Sequence, residues 1–394
     1  MISTSRRVLL VLVCAACAQD RAPHALSVIE AREDLRLDAE AEDFSAVSRV
    51  SVGPQGEIAV PLPQDMHIRL YDAKGRRIAT VGRRGSGPGE FRHLGSLSWA
   101  ADTLVVIDAR LRRVSYVAAD GVYVRSVTLP APMGAPIDGT GGDTAMAFFN
   151  PSAAAADGSL LGTAALMSGG RVTTEQVVVR WTPGQPARVL ARPPAYNHER
   201  WMMTIGGFEN PVPFAFEPQM SVSATADRFT FLTADQSSVS EARFRVTLFG
   251  AGGDTLFDGT YQGAVLPVSA RERDSAIAAL APRGLPTEGP IDLPARFQAV
   301  ARERMPSLHP PVRRVILGRG GTVWVELRAL TDSVRALALD ELGRELGMIV
   351  LPPRSRLQQA DADHVWATQA DDSGLMSIVR YRLIGRHPAR ATKR

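Results

Sequence analysis

The chain has 394 residues, 45% hydrophobic and 22% charged, the make-up of a globular protein with a real core and enough length for one large all-β domain or two or three ordinary ones. Its net charge is only +4, and its cations are scattered and almost all arginine, the only lysines being Lys74 and Lys393. No aromatic-interleaved basic strand or DNA-binding motif accompanies them, so no nucleic-acid partner is expected.

The first element in chain order is a leader. Arg6 and Arg7 precede a short apolar run, residues 8–13, and then Cys14-Ala-Ala-Cys17: a positive n-region, an h-region too short to span a bilayer, and small residues before a cut. Both cysteines of the chain lie here, so a mature chain is held by packing and not by disulfides. A cysteine after Ala-Ala resembles the bacterial lipobox, which implies Cys17 as the lipid-attachment residue and a membrane reached through it. Cys14 stands where that pattern has leucine, which leaves a plain secretory cut as the alternative. Ala18 in place of aspartate implies, by resemblance to Gram-negative sorting signals, an outer-membrane lipoprotein facing the periplasm or the surface.

Residues 18–27 are polar and unpatterned and read as a tether. From there on, short apolar runs alternate with turns such as Asp120-Gly121, Asp157-Gly158 and Gly320-Gly321, each a strong hairpin signal. Two hairpins per unit of about 40 to 60 residues make a four-stranded antiparallel blade. Units fall near 45–85, 94–129, 143–192, 214–262, 310–352 and 355–384. The sixth shows only three runs, and an N-terminal strand over 28–37 is expected to complete it and remove the free sheet edges. Two short helices, 269–280 and 293–305, are expected in an insertion at 266–308 between the fourth and fifth units. A basic tail follows at 386–394. The prediction is an all-β, six-bladed propeller over 28–385.

Residues 82–91, Gly-Arg-Arg-Gly-Ser-Gly-Pro-Gly-Glu-Phe, resemble a segment of bacterial six-bladed β-propeller lipoproteins related to NHL-repeat proteins. Residues 106–127, with Asp108, Arg113 and Asp120-Gly121, are similar to the NHL strand-Asp-x-x-x-x-Arg-strand-Asp-Gly-strand unit, and residues 322–343 follow the same outline. Units three and four lack the Asp-to-Arg spacing. The resemblance implies the propeller and its envelope location, and a ligand face built from inter-blade connections.

On that face the sequence offers Arg83, Arg84 and His93 from the Gly-rich connector, and His67, Arg110 and Arg112 from neighbouring loops. Arginines beside turn amides suit an anion such as a carboxylate, phosphate or acidic sugar. The competing reading is structural: Gly-Pro-Gly turns the backbone, Phe91 wedges between two blades and Glu90 pairs with a nearby arginine. No lysine-hydroxyl pair and no helix follow, so this is not a phosphate-binding P-loop. The histidines form no short-spaced pair, so no local metal motif exists, although His67, His93, His198 and His309 could be gathered at the axis. Residues 196–203 offer either a stacking platform for a sugar or inter-blade packing. No catalytic residue and no cofactor are expected. The reading is a monomeric binding module for an envelope protein, peptide or glycan. Its alternative is an envelope enzyme of the propeller lactonase or lyase type with Ca or Zn in the central channel.

Overall fold

A computed structural model describes residues 27–385 apart from 45, 46, 48, 139–143, 206, 207 and 281–292. The leader with Cys17, all of the tether but Ser27, the basic tail and the middle of the insertion lie outside the described residues.

Six antiparallel sheets are arranged in a ring, as expected from the repeat of hairpins. Blade 1 comprises Ser51–Val52, Ile58–Leu62, His67–Tyr71 and Arg77–Val81; blade 2 comprises Leu97–Ala100, Thr103–Asp108, Arg113–Val117 and Tyr123–Thr128. Blade 3 is built from Thr144–Ala154, Leu160–Ser168, Arg171–Trp181 and Ala187–Ala191, and blade 4 from Gln219–Val222, Phe229–Asp235, Arg243–Phe249 and Thr255–Gln262. Blade 5 has Val312–Leu317, Val323–Leu327, Val334–Leu339 and Glu345–Leu351. Blade 6 has Ser355–Ala360, His364–Ala370 and Met376–Ile384, and its outer strand is Glu30–Leu37, which pairs from Glu30↔Ile384 to Leu37↔Ile378.

The first strand of each blade lines the axis. Loops from one blade to the next, and those between second and third strands, therefore share one face, here called the upper face. First-to-second and third-to-fourth turns share the lower face.

Apolar residues alternate along the strands and meet between neighbouring sheets. The largest fully buried side chains include Trp99, Trp324 and Trp366, each in a different inter-blade cluster. Several seams are also closed by a side chain that accepts an inner-strand N–H of the next blade. Ser98 Oγ accepts Ala154 N (3.0 Å), Ser221 Oγ accepts Leu317 N (3.0 Å), Glu326 Oε1 accepts Leu357 N (2.7 Å) and Gln359 Oε1 accepts Val52 N (2.6 Å). Buried backbone donors at the seams are thereby satisfied without a continuous sheet.

Blade 3 departs from the simple pattern. An additional strand, Ala135–Asp138, runs antiparallel to the start of the inner strand and parallel to the outer strand Ala187–Ala191, curling the sheet into a small closed barrel. Its first and third strands are 11 residues long, and the first is interrupted at Met146/Phe148 and Pro151/Ala153. Such irregularities bend a strand and let a sheet close on itself.

The insertion carries helices α2, Ala270–Ala279, and α3, Leu293–Arg304. Ser269 starts α2 with a capping box: its Oγ accepts Glu272 N (3.2 Å) and its own N donates to Glu272 Oε2 (2.9 Å). Buried Phe297, Ala301 and Met305 repeat every four residues along α3 and its end, the stripe expected of a one-sided helix. That stripe packs on Met203, Val212 and Ile277. Met203 belongs to a hairpin, Met202–Ile205 with Phe208–Pro211, which follows the one-turn helix α1, His198–Trp201, in the connection from blade 3 to blade 4. The two connections together form a small cap on the upper face. Of residues 196–203, Met203 and the half-buried Trp201 join this packing while 197–200 are exposed, and Tyr196 meets His198 edge to face at 4.9 Å.

Candidate functional site

The inner strands of blades 4, 5 and 6 begin with polar residues at the upper end of the channel. Gln219 and Met220 of blade 4, Arg313 and Arg314 of blade 5, and Ser355 and Arg356 of blade 6 surround a cavity of about 660 Å³ whose wall includes Glu326. Two adjacent arginines escape the core because of a local fault in the strand. Val312 faces Leu327 and Arg314 faces Glu326, so Arg313 is the extra residue of a bulge and the usual alternation is broken. Below the bulge, alternation resumes with buried Val315, Ile316 and Leu317.

Three guanidiniums here face one carboxylate. Among the described residues no carboxylate comes within 4 Å of the guanidinium of Arg313, Arg314 or Arg356. Arg314 Nη1 is buried without a hydrogen-bond partner. Burial pushes the Arg314 pKa down, Glu326 pushes it up and the like charge of Arg356 pushes it down again. Burial also holds the Glu326 carboxyl above its ordinary range, against the pull of Arg314, Leu357 N, Arg356 and Arg313.

A second cavity, of about 430 Å³, adjoins the first through their shared Gln219 and Arg313. Its walls are Phe214, Phe216, Pro218 and Pro310 together with the carboxylate-bearing Glu217, with Arg328 at the side. Phe214 has φ +63°, a left-handed conformation costly for an aromatic residue. Gln236 holds it there: its Nε2 donates to Phe214 O (2.7 Å) and its Oε1 accepts Phe216 N (2.7 Å). His309 meets the Phe214 ring edge to face at 4.9 Å and contacts Glu272 Oε1 at 3.2 Å through Nε2.

No protein-family model matches the chain, and no curated protein matches its sequence. Solved structures similar to it include a Bacteroides fragilis protein thought to be exported, at 11% identity over 91% of this chain and 96% of that one, TM-score 0.44. A member of the DUF4221 family from Bacteroides vulgatus follows at 9% identity, over 90% of this chain and 98% of that one, TM-score 0.43. A catalytically inactive virginiamycin B lyase from Staphylococcus aureus, crystallised with quinupristin, has 11% identity over 90% of this chain and all (100%) of that one, TM-score 0.40. At these values nothing about ligand or reaction carries over.

The residues singled out from the sequence lie elsewhere on the upper face, around the seam of blades 1 and 2. Arg83 pairs with Glu90 (Nε to Oε1, 2.8 Å), and Arg84 Nη2 donates to Gln64 O (3.1 Å). The Gly-rich connector is clamped from blade 2: Asp108 Oδ2 accepts Arg92 N (2.7 Å) and His93 N (3.2 Å), while Arg113 donates to Ser86 O (3.0 Å) and Glu90 O. Phe91 is fully buried between the two blades. Arg110 and Arg112 are exposed in the turn of blade 2. His67 opens the third strand of blade 1; its Nε2 is buried without a partner, and burial lowers its pKa. None of these six residues borders the channel-mouth cavities. Among the described residues no group of three or more His, Asp or Glu could hold a metal ion, so His67, His93, His198 and His309 are not gathered at the axis. Sequence reasoning passed over Arg313, Arg314, Arg356 and Glu326 because it sought the rim in loops. The available signal was the pair Arg313-Arg314, one residue after Pro310-Pro311 and directly before the apolar run 315–317.

Proposed function

We propose that this chain is a lipid-anchored cell-envelope propeller that acts as a binding module, taking its ligand at the upper mouth of the central channel. The observation that carries this reading is the polar cavity of about 660 Å³ where the inner strands of blades 4 to 6 begin, beside a pocket with aromatic and proline walls and polar residues among them. Ligand sites are concave, with apolar walls and a few convergent polar groups, and the two joined cavities supply both. The leader with Cys17 supports the anchor and the envelope location. A lyase or lactonase reading needs several His, Asp or Glu side chains converging at the axis, whereas arginines dominate the mouth, so binding is preferred over catalysis.

A photo-crosslinking residue placed at Gln219 in intact cells tests this. It should yield a discrete adduct, and the same residue at Gln185, exposed on the lower face, should not. Equal labelling at both positions, or none at Gln219, would count against a ligand at the mouth.

A further inference from the structure

We infer that the channel mouth is an oxyanion site, in which Arg313, Arg314 and Arg356 hold a phosphate, sulfate or paired-carboxylate group and the neighbouring pocket takes the apolar part of the same ligand. This deepens the binding reading and rests on it.

The argument begins with what the cluster lacks. Several arginines that serve packing in this chain have partners: Arg113 binds two carbonyls, Arg180 Nη2 donates to Ala226 O (2.6 Å), and Arg380 reaches Asp34 (2.8 Å), although Arg319 Nε and Nη2, away from the mouth, are buried without one. At the mouth the same residue type is concentrated without them. Like charges drawn together in a half-enclosed cavity repel one another, and a buried donor without an acceptor loses its hydration. An oxyanion relieves both costs, because its oxygens accept from several guanidiniums at once in the planar geometry that arginine presents. Two carboxylates line the joined cavities: Glu217 lies in the second one, and Glu326, beside the arginines, is directed to another task, since its Oε1 accepts Leu357 N across the seam of blades 5 and 6 (2.7 Å). Glu326 therefore sets the strength of the site without closing it.

The adjoining pocket gives the ligand its second feature. Phe214, Phe216, Pro218 and Pro310 line the pocket that Arg313 also borders, Glu217 standing among them, and the loop of Phe214 and Phe216 is held by the paired bonds of Gln236. A charged group with a flat or apolar body fits this arrangement better than a free inorganic ion.

Titration calorimetry at low salt is the test, with pyrophosphate, inorganic phosphate, phenyl phosphate and tricarballylate, a carboxylate-only probe. Pyrophosphate should bind with one-to-one stoichiometry. The double variant Arg313→Gln/Arg356→Gln changes two exposed side chains and should weaken it about tenfold or more at unchanged thermal stability, the loss expected for charge-assisted bonds. Glu326→Gln keeps an acceptor for Leu357 N and removes the opposing charge, so it should tighten binding several-fold. Phenyl phosphate should bind more tightly than inorganic phosphate. Tricarballylate matching pyrophosphate would identify a carboxylate ligand, and a large deficit a phosphate or sulfate one; either supports the site. With sulfate, whose charge is constant, wild-type affinity should fall as pH rises through the titration of Glu326, and the Gln variant should be flat. Identical binding by wild type and double variant, or no binding of pyrophosphate or tricarballylate by wild type, would overturn the inference. If crosslinking at Gln219 nevertheless succeeds, the binding module stands and only its anionic ligand fails.

Discussion

Phe91 shows how single side chains fix this ring. It is fully buried among Leu70, Val81, Trp99 and Val106, so it belongs to two blades at once. Gly82, at φ +88°, lies so close that a Cβ there would stand 2.3 Å from Phe91 Cε2. Phe91→Ala leaves a cavity at the seam and should cost about 3 kcal/mol or more, read as a lower urea midpoint. Gly82→Ala should lower the midpoint too, through positive φ and the clash. Arg83→Ala should leave it nearly unchanged, because its side chain is 81% exposed and its ion pair lies at the surface. A midpoint for Phe91→Ala equal to wild type would remove the wedge from this account. Glu326 makes a separate prediction at the same scale. A carboxyl whose pKa is higher folded than unfolded binds its proton more tightly in the native state. Its contribution to stability is therefore best at acid pH and declines as pH rises from the ordinary carboxylate range through the raised folded value. Glu326→Gln should abolish that part of the decline, measured by unfolding across pH 4 to 8, about the window in which a raised carboxyl titrates.

At the scale of elements, the closing strand Glu30–Leu37 is decisive. It joins the two ends of the chain, with Leu37 buried and Asp34 accepting Arg380 Nε (2.8 Å) and Nη2 (3.2 Å). Removing residues 27–37 bares the edge of Met376–Ile384, so the shortened chain should aggregate, and a peptide of residues 27–37 added in trans should restore a monomer by light scattering. A shortened chain that stays monomeric and equally stable would show that the ring does not need this strand. This element was legible in the sequence because a blade with three runs demands a fourth, and turns such as Asp72-Ala-Lys-Gly75 and Asp340-Glu-Leu-Gly343 mark hairpins of the blades on either side. The strand Ala135–Asp138 was not, since four residues containing Pro136 carry no alternation to read. The cap hairpin was hidden for a related reason: Met203 and Val212 are buried against helices far along the chain, a contact that local pattern does not register. The mouth was hidden by the bulge at Arg313, which turns an ordinary-looking start of a strand into two adjacent outward arginines. Periodicity reports regular pairing, and sites such as this one sit where pairing is broken.

For the whole molecule, the ring gathers its cations unevenly. Blades 5 and 6 carry the arginine mouth, blades 1 and 2 carry a connector whose arginines are engaged, and the cap leans over the blade 4 side. At the other end of the channel Trp99 N donates to Ala224 O (2.9 Å), linking blade 2 to a lower-face turn of blade 4 across blade 3. The two faces are therefore not equivalent.

The closing strand also decides which way the molecule looks. It starts beside Ile384 at the lower face, and residues 27–29 approach it alongside Met348 of blade 5. A chain secured at Cys17 is thus held from beneath, and ten residues can span at most about 35 Å between anchor and ring. On the proposed anchor, the arginine mouth would point outward from the bilayer, like a dish on a short mast, and would meet ligands from the aqueous side. A single cysteine introduced at Gln219 should react with a membrane-impermeant maleimide in lipid-bound vesicles as fast as in a Cys17→Ser protein released from the membrane. One at Gln185 should react more slowly when anchored. The reverse pattern would mean that the mouth faces the bilayer.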